Sequence, residues 1–408
     1  MQRPLLDIAS NQPTPDDAPT LPPLLRLGFR PFFLFGAAFA ALAIGLWMLA
    51  FAGKLPQWSP AGGWLNWHRH EMPFGFAIAI VAGFLLTAVQ NWTGIPGVRG
   101  WPLATLVVLW LLARLFWLLG APWWLIALPE LSWLPLLALF IAKSLRQTRQ
   151  IHNYPVLATL ALLTLADALT LAGLASGNFN WLYNGSMAAI WLIAALMTMI
   201  GGRVIPLFTQ RALTASPPSP QKPYQLRVDY ALMGITLLIA VLCAVGLTMT
   251  PSLILAPLFA ALTLGHCARL WKWRHRGIWG VALVWPLHLS YFWMALACAG
   301  LTLFHLGVSL SFSIALHALT VGAMGGLILA MIVRVSIAHT GRPLDTPRPM
   351  GYAFILFHLG VAARVFLTPW LPMLGLIIST LCWALAFALF VLCHAKMLSL
   401  PRVDGKDG

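Results

Sequence analysis

The stretch His68-Arg69-His70-Glu71-Met72 leads directly into the apolar run of residues 72–91, MPFGFAIAIVAGFLLTAVQN. A run of this length and composition is what an α-helix needs to cross roughly 30 Å of hydrocarbon. The titratable residues stand at the mouth of the run, in a chain of which only 9% is charged. Because ionisable groups are costly at a membrane helix, they usually mark a site.

Comparable apolar runs recur along the whole chain, which is 60% hydrophobic. The sequence therefore predicts an all-α fold, a polytopic membrane helical bundle of about twelve transmembrane helices embedded in a lipid bilayer. The predicted spans are 32–52, 72–91, 101–120, 122–142, 154–175, 181–200, 228–249, 252–271, 279–304, 308–334, 350–367 and 372–394.

The distribution of positive charge predicts how the bundle is oriented. Of the 25 Lys and Arg residues, all except Lys54, Arg69, Arg114 and Arg364 fall in the terminal tails, in connections that follow even-numbered spans, or at the adjoining span ends. By the positive-inside rule, both termini are then cytoplasmic and the 68–72 motif faces outward. The net charge of +15 is thus explained by topology, and no nucleic-acid partner is indicated.

The domain organisation follows from the same pattern. Residues 1–25 are polar and Pro-rich and lack the apolar core of a signal peptide, so they are predicted to be a disordered cytoplasmic tail. Residues 26–400 are predicted to form one transmembrane domain, in which a cytoplasmic linker at 203–227 separates two six-helix halves. Residues 401–408 are predicted to be a second cytoplasmic tail. The five Cys residues include no Cys-x-x-Cys pair and are interpreted as packing residues.

Histidine is the residue type that indicates chemistry. His68 and His70 lie at the predicted outer face, His288 and His317 lie inside spans 9 and 10, and His266 lies near the cytoplasmic end of span 8. A single buried His is most often a hydrogen-bonded packing residue. Several in one bundle favour haem or copper, because neutral imidazole ligates both metals. Ten acidic residues are too few for a carboxylate cage around a hard cation.

The residues around two of these histidines sharpen the hypothesis. Beside His317, small residues recur every fourth position from Ala318 to Ala330. Such a strip indicates either a close helix–helix seam or room for a macrocycle, and the sequence leaves both open. Pro286 is expected to kink span 9 just before His288. Tyr291, one turn further on, then offers its phenol to a proton or ligand, or simply packs.

The 68–72 motif allows two local structures. If residues 68–75 are helical, His68 and His70 point in nearly opposite directions. Pro73 fits best at a first helical turn, which instead predicts an irregular entry segment where both imidazoles converge.

Buried charges are also predicted in the outer half of the bundle. Arg114 and Arg364 either form a network with Glu71 and Asp167 or hold haem propionates, since guanidinium binds carboxylate bidentately.

Taken in order, several segments of the chain resemble those of the NnrS family. They are Gly28–Phe33 (GFRPFF), Trp67–Phe76 (WHRHEMPFGF), Gly83–Gly94 (GFLLTAVQNWTG), Gly201–Thr209 (GGRVIPLFT), Leu287–Tyr291 (LHLSY), His317–Gly326 (HALTVGAMGG) and Arg334–Arg342 (RVSIAHTGR). The resemblance implies a twelve-span bacterial inner-membrane protein that contains haem and copper and serves the nitric oxide response and nitrosative-stress tolerance. The family pattern falls on His68, His70, Glu71, Asn91, Arg203, His288, His317, Arg334, His339 and Arg342, and His266 lies in a similar His-x-x-Arg stretch.

Three functional classes follow from the residues and the resemblance. The first is a haem–copper membrane protein that binds, senses or removes nitric oxide. The second is a haem-copper-type nitric oxide reductase, which needs three His around one copper and a haem pair, more than His288 and His317 supply. The third is a transporter of haem, metal or metal-nitrosyl species, for which inverted repeats or paired broken spans were expected and not found. The sequence leaves open whether the protein is an enzyme and indicates no protein partner.

The predicted orientation can be tested with reporter fusions. Fusions after residue 150 and after residue 305 should report opposite sides of the membrane, because an odd number of predicted spans separates them. Reporters that show the same side for both fusions would mean that a span has been miscounted.

Overall fold

The computed structural model describes residues 21–213, 223–308 and 311–406, and in these ranges the chain is helical with no β-strand. The described residues form twelve long helices. They are α1 Phe29–Phe51, α2 Trp64–Thr93, α3 Trp101–Leu118, α4 Trp123–Gln147, α5 Tyr154–Ser176, α6 Phe179–Leu213, α7 Pro223–Ala244, α8 Ala256–Trp273, α9 Trp285–His305, α10 Phe312–His339, α11 Arg348–Leu367 and α12 Pro372–Ser399.

Eleven of these helices are long and apolar enough to cross a membrane. The remaining one, α8, has the required length but carries His266, Arg269 and Lys272 in its second half, which lowers its mean hydropathy. The predicted all-α, polytopic helical bundle is thus confirmed.

Helices α2 and α10 form the centre of the bundle and are the most enclosed of the eleven. Helix α2 packs against α1, α3, α4 and α6, and α10 packs against α1, α6, α9, α11 and α12. Both helices, and α11 as well, contain a wide π-helical segment: Glu71–Ala77, Ala318–Gly325 and Ala363–Leu367. Such segments insert one residue into a helix and are frequent at functional sites.

Two expectations about proline were wrong. Pro73 does not begin a helix, because α2 starts at Trp64 and continues through Pro73 as a π-helical segment. Pro286 does not kink a helix, because α9 starts at Trp285 and Pro286 lies in its first turn. Backbone N–H groups in a first turn have no carbonyl partner within the helix, so proline removes no hydrogen bond there. Consequently His288 lies in the first turn of α9, at the predicted cytoplasmic end, and not deep in the membrane.

The connections between the halves and at the C-terminus also differ from the prediction. Helix α6 continues to Leu213 and α7 begins at Pro223, so the predicted linker 203–227 is helical at both ends, and its middle lies outside the described residues. Most of the predicted tail 1–25 also lies outside them, and Pro23–Leu25 form a 3₁₀ turn. In the predicted tail 401–408, the guanidinium of Arg402 donates to the carbonyl of His339 at 3.0 Å.

Small residues bring several helices into close contact. A Cβ atom added to Gly322 would lie 2.7 Å from Cγ of Trp293, and one added to Gly326 would meet the hydroxyl of Ser290. Both partners belong to α9, so the strip of small residues in α10 is a helix–helix seam. It does not face a cavity.

The tightest seam against backbone lies between α5 and α6. A Cβ on Gly185 would lie 2.5 Å from the carbonyl oxygen of Ala166 and 2.9 Å from the amide nitrogen of Thr170. Backbone atoms cannot rotate away. We therefore expect Gly185→Ala to destabilise the bundle by about 1–3 kcal/mol, measured by unfolding in detergent.

The matched control is Gly234→Ala in α7, where an added Cβ meets nothing within 4 Å. This change should stabilise the protein by about 0.5–1 kcal/mol, because alanine favours a helix over glycine. Equal effects of the two substitutions would contradict the close α5–α6 approach.

Candidate cofactor site

A cavity of about 430 Å³ lies in the predicted outer half of the bundle. It is bounded by α1, α2 and α6 from the first half of the chain and by α10, α11 and α12 from the second half. All three π-helical segments contribute to its wall. His68 and His317, both predicted metal ligands, line this cavity together with Arg364, a predicted cofactor contact.

His317 is held in a defined protonation form by its own helix. Its Nδ1 lies 2.6 Å from the carbonyl oxygen of Ser313, and because a carbonyl only accepts, Nδ1 carries the proton and donates it. In the neutral ring, Nε2 therefore keeps its lone pair for a metal. A histidine that binds a metal usually donates from its other ring nitrogen to a carbonyl or carboxylate in this way.

His68 enters the cavity from α2. Its ring stacks on the indole of Trp47, with centroids 4.7 Å apart and an interplanar angle of 13°. Its Nδ1 is buried and has no hydrogen-bond partner in the structure. A buried polar atom without a partner costs free energy, so this nitrogen is a position where a bound group would find a donor or ligand.

Two arginines give the cavity a surplus of positive charge. Arg364 donates to the hydroxyl of Ser313 at 3.3 Å, and its guanidinium acts electrostatically on both His68 and His317. Arg69 bonds to Asn66 at 3.3 Å and lies over the ring of Tyr183. Within the described parts of the chain, neither arginine has a carboxylate partner. An acidic ligand would supply the missing counter-charge.

Methionine sulfurs are the part of the cavity that the sequence reasoning missed. Met48, Met72, Met187 and Met324 line the same space. Thioether sulfur is a soft ligand that favours copper(I). Met72 belongs to the 68–72 motif, four residues after His68, and this spacing on one helical face was an available signal.

The second predicted histidine of the motif, His70, points away from the cavity into a buried cluster of charges. Its Nδ1 lies 2.9 Å from Oε1 of Glu71, and its Nε2 lies 3.1 Å from Oδ1 of Asp167. The ring is stacked between Phe74 and Trp117, with centroid distances of 4.8 and 4.1 Å. The expected convergence of His68 and His70 is wrong, because the unbroken helix directs them to different neighbours.

Arg114 completes the cluster. It forms an ion pair with Glu71, at 3.1 Å from Nε to Oε2, and a second one with Glu130. Glu130 also accepts from the indole of Trp117 at 3.2 Å. The guanidinium of Arg114 thus binds protein carboxylates, and a propionate would have to displace them. Sequence reasoning missed Glu130, although a lone acid in the predicted span 122–142 was a signal for a buried partner.

His288 lies at the opposite end of the bundle from His317, so these two predicted ligands do not share a site. The hydroxyl of Thr209 donates to the carbonyl of Ile205 at 2.8 Å and accepts from Nε2 of His288 at 2.8 Å. Nδ1 of His288 therefore keeps its lone pair. Its role as a metal ligand stays a prediction.

Near His288, Tyr291 takes part in a buried hydrogen-bond chain. Arg269 pairs with Asp229 at 3.1 Å and donates to the phenol oxygen of Tyr291 at 2.6 Å. The same phenol lies 2.9 Å from Nδ1 of His266. The predicted ligand His266 and the predicted motif position Tyr291 thus bind each other, in the half of the bundle that is predicted to be cytoplasmic.

The remaining motif positions lie at the predicted cytoplasmic end, away from the cavity. Asn91 and Arg203 are exposed. The guanidinium of Arg334 lies 3.9 Å from the ring centroid of Phe208, and the ring of His339 contacts that of Phe29. Arg342 donates to the carbonyl of Thr340. None of these five residues lines the cavity.

Comparison with known proteins gives one match. The family model described as NnrS protein matches residues 23–402 of the 408-residue chain. The match includes every residue of the cavity and of the buried charge cluster. No curated protein matches the chain.

The buried cluster supports a prediction about stability. Arg114→Met should destabilise the protein by about 3–5 kcal/mol, because it leaves the carboxylates of Glu71 and Glu130 buried without their cation. The measurement is unfolding in detergent. Arg146→Met, at an exposed position of α4, is the control and should change stability little. Adding Glu130→Gln to Arg114→Met should restore part of the loss, and an unchanged stability of Arg114→Met would refute the network.

Proposed function

The chain belongs to the NnrS family, and from this membership together with the cavity we propose that it is a haem-binding inner-membrane protein of the bacterial nitric oxide response. In this proposal His68 and His317 hold the haem in the cavity. The protein would protect against nitrosative stress by binding nitric oxide or by handling metal-nitrosyl species.

One observation carries the proposal: two imidazoles from the two halves of the chain face a single cavity, which is also lined by two arginines that have no carboxylate partner among the described residues. The volume of about 430 Å³ lies within the usual range for cofactor and ligand pockets. Imidazole nitrogens suit haem iron, and guanidinium groups suit carboxylates such as propionates. The donor set, the charge and the size of the cavity therefore agree with an acidic macrocycle.

The residues of the cavity have separate tasks. Ser313 fixes the orientation of His317 through its carbonyl and binds Arg364 through its hydroxyl. Trp47 holds the ring of His68 by stacking. Arg364 and Arg69 would bind the acidic groups of the cofactor. When bound, the haem supplies an iron that takes nitric oxide as a ligand, and the apolar helices around it limit access of water.

Copper, which the family resemblance also implies, has suitable donors in the same cavity. Met72 and Met324 line the same cavity as His68 and His317. A site with imidazole and thioether ligands suits copper(I). Metal analysis of the variants below identifies which metal depends on which histidine.

Binding is better supported than catalysis. A reductase of the haem-copper type needs a second metal held by further histidines next to the haem. His68 and His317 are the only histidines among the described residues that line the cavity. His288 and His266 lie at the other end of the bundle. We therefore favour a gas-binding or protective role over nitric oxide reduction.

The test is cofactor content. His317→Ala and His68→Ala should each abolish or strongly weaken the Soret band of the purified protein, because each removes an imidazole that would hold the haem. Iron and copper are measured by elemental analysis in the same samples.

The matched control is His358→Ala. His358 is also buried, but it accepts from the indole of Trp293 at 3.3 Å and does not line the cavity. This variant should keep its cofactor. If the two cavity variants retain full haem and metal with unchanged spectra, while His358→Ala loses them, the proposal fails.

A second prediction separates binding from turnover. The reduced protein should bind nitric oxide with a shift of its Soret band and consume the gas slowly or not at all. The measurement is a nitric oxide electrode trace with pure protein and an artificial electron donor. Sustained consumption that disappears in His317→Ala would replace the binding role by an enzymatic one.

A further inference from the structure

The buried charge cluster beside the cavity contains a set of metal ligands. A ring nitrogen of His70 and one carboxylate oxygen each from Glu130 and Asp167 lie within 4.8 Å of one another, and all three residues are fully buried. We propose that these three residues bind a divalent transition-metal ion, at a site separate from the cavity. This site does not depend on the proposed function.

The orientation of His70 fits a metal ligand. Glu71 accepts the Nδ1 proton at 2.9 Å, and Nε2 then carries a lone pair on the side of Asp167 and Glu130. A carboxylate that holds the far nitrogen of a ligating imidazole is the recurrent second shell of protein metal sites. Phe74 and Trp117 hold the ring from both faces.

The charge of the cluster indicates a divalent cation. Glu71, Glu130 and Asp167 contribute three carboxylates, and Arg114 contributes one guanidinium. With a neutral imidazole, the formal sum is two negative charges, buried inside the bundle. An uncompensated charge in such a place costs several kcal/mol. One divalent ion removes the imbalance.

An unsatisfied ligand atom in the cluster gives independent support. Oδ2 of Asp167 is buried and has no hydrogen-bond partner, whereas Oδ1 of the same carboxylate accepts from the hydroxyl of Thr170 and lies 3.1 Å from Nε2 of His70. A carboxylate oxygen buried without a partner is rare in a folded protein, and coordination to a cation satisfies it.

The ligand types restrict the metal. One imidazole and two carboxylates suit iron(II), manganese(II) or zinc(II), whereas copper(I) favours sulfur ligands and magnesium favours oxygen and water. The ten acidic residues were judged too few for a carboxylate cage around a hard cation, and a mixed site with His70 was not foreseen, because the carboxylates of Glu71, Glu130 and Asp167 come from three different helices. The fold concentrates them in one place.

Manganese(II) is the probe, because it binds weakly to the sulfur and imidazole ligands of the cavity and is visible by electron paramagnetic resonance. Wild-type protein produced with supplemental manganese should hold about one equivalent per chain after gel filtration. Asp167→Asn and Glu130→Gln should lose it, because each removes a ligand charge. Glu71→Gln keeps all three ligands and should weaken binding roughly 10–100-fold.

Two controls separate this site from other acids and from the cavity. Asp229→Asn alters another acid paired with an arginine and should keep the manganese, and so should the double variant His68→Ala/His317→Ala. If Asp167→Asn yields no folded protein, the weaker manganese binding of Glu71→Gln tests the proposal instead. Wild-type protein that binds no manganese, iron or zinc overturns the proposal and leaves the cluster neutralised by two protons. Binding that survives Asp167→Asn but disappears with the cavity histidines also overturns it.

Discussion

The continuity of α2 across Pro73 is the constraint on which the rest of the structure depends. Proline cannot donate a backbone hydrogen bond, and the chain accommodates it by widening the helix over Glu71–Ala77. Since the helix does not break, His68 and His70 remain on opposite faces of it. One imidazole reaches the cavity, and the other reaches the carboxylates of α4 and α5. A helix that began at Pro73 would have allowed both rings into a single site.

Helix α2 thereby separates two environments of opposite charge. On one face, Arg69 and Arg364 give the cavity excess positive charge, and on the other, three carboxylates outnumber Arg114. In a medium of low dielectric constant the two charge excesses attract each other across the helix. A ligand that neutralises one side therefore changes the electrostatic potential at the other, so an acidic group in the cavity and a cation in the cluster would balance each other's fields.

The sequence was sufficient to predict the fold and to single out His68, His317 and Arg364 of the cavity. It was not sufficient to predict which side chains lie together. Hydropathy located the helices, because each span must be apolar along its whole length. It gave the wrong depth for His288, because α9 begins at Trp285 and not near residue 279. Depth along a span also does not specify which helices are neighbours, so the sequence did not show that His288 and His317 lie apart. Once the ends of α9 and α10 are placed, they lie at opposite ends of the bundle. Glu130 and the methionines were overlooked because apolar surroundings concealed their chemistry.

The wide turns of α2, α10 and α11 all border the cavity, and they restrict how this protein can change over evolutionary time. Each holds one residue more than an α-helical turn, and removing a residue rotates the helix on one side of it by about 100° relative to the other. A single-codon deletion within residues 71–77 would thus turn His68 out of the cavity and His70 out of the carboxylates at once. Substitutions can adjust either site alone, whereas a change in length in α2 destroys both, so the two sites are inherited as a unit.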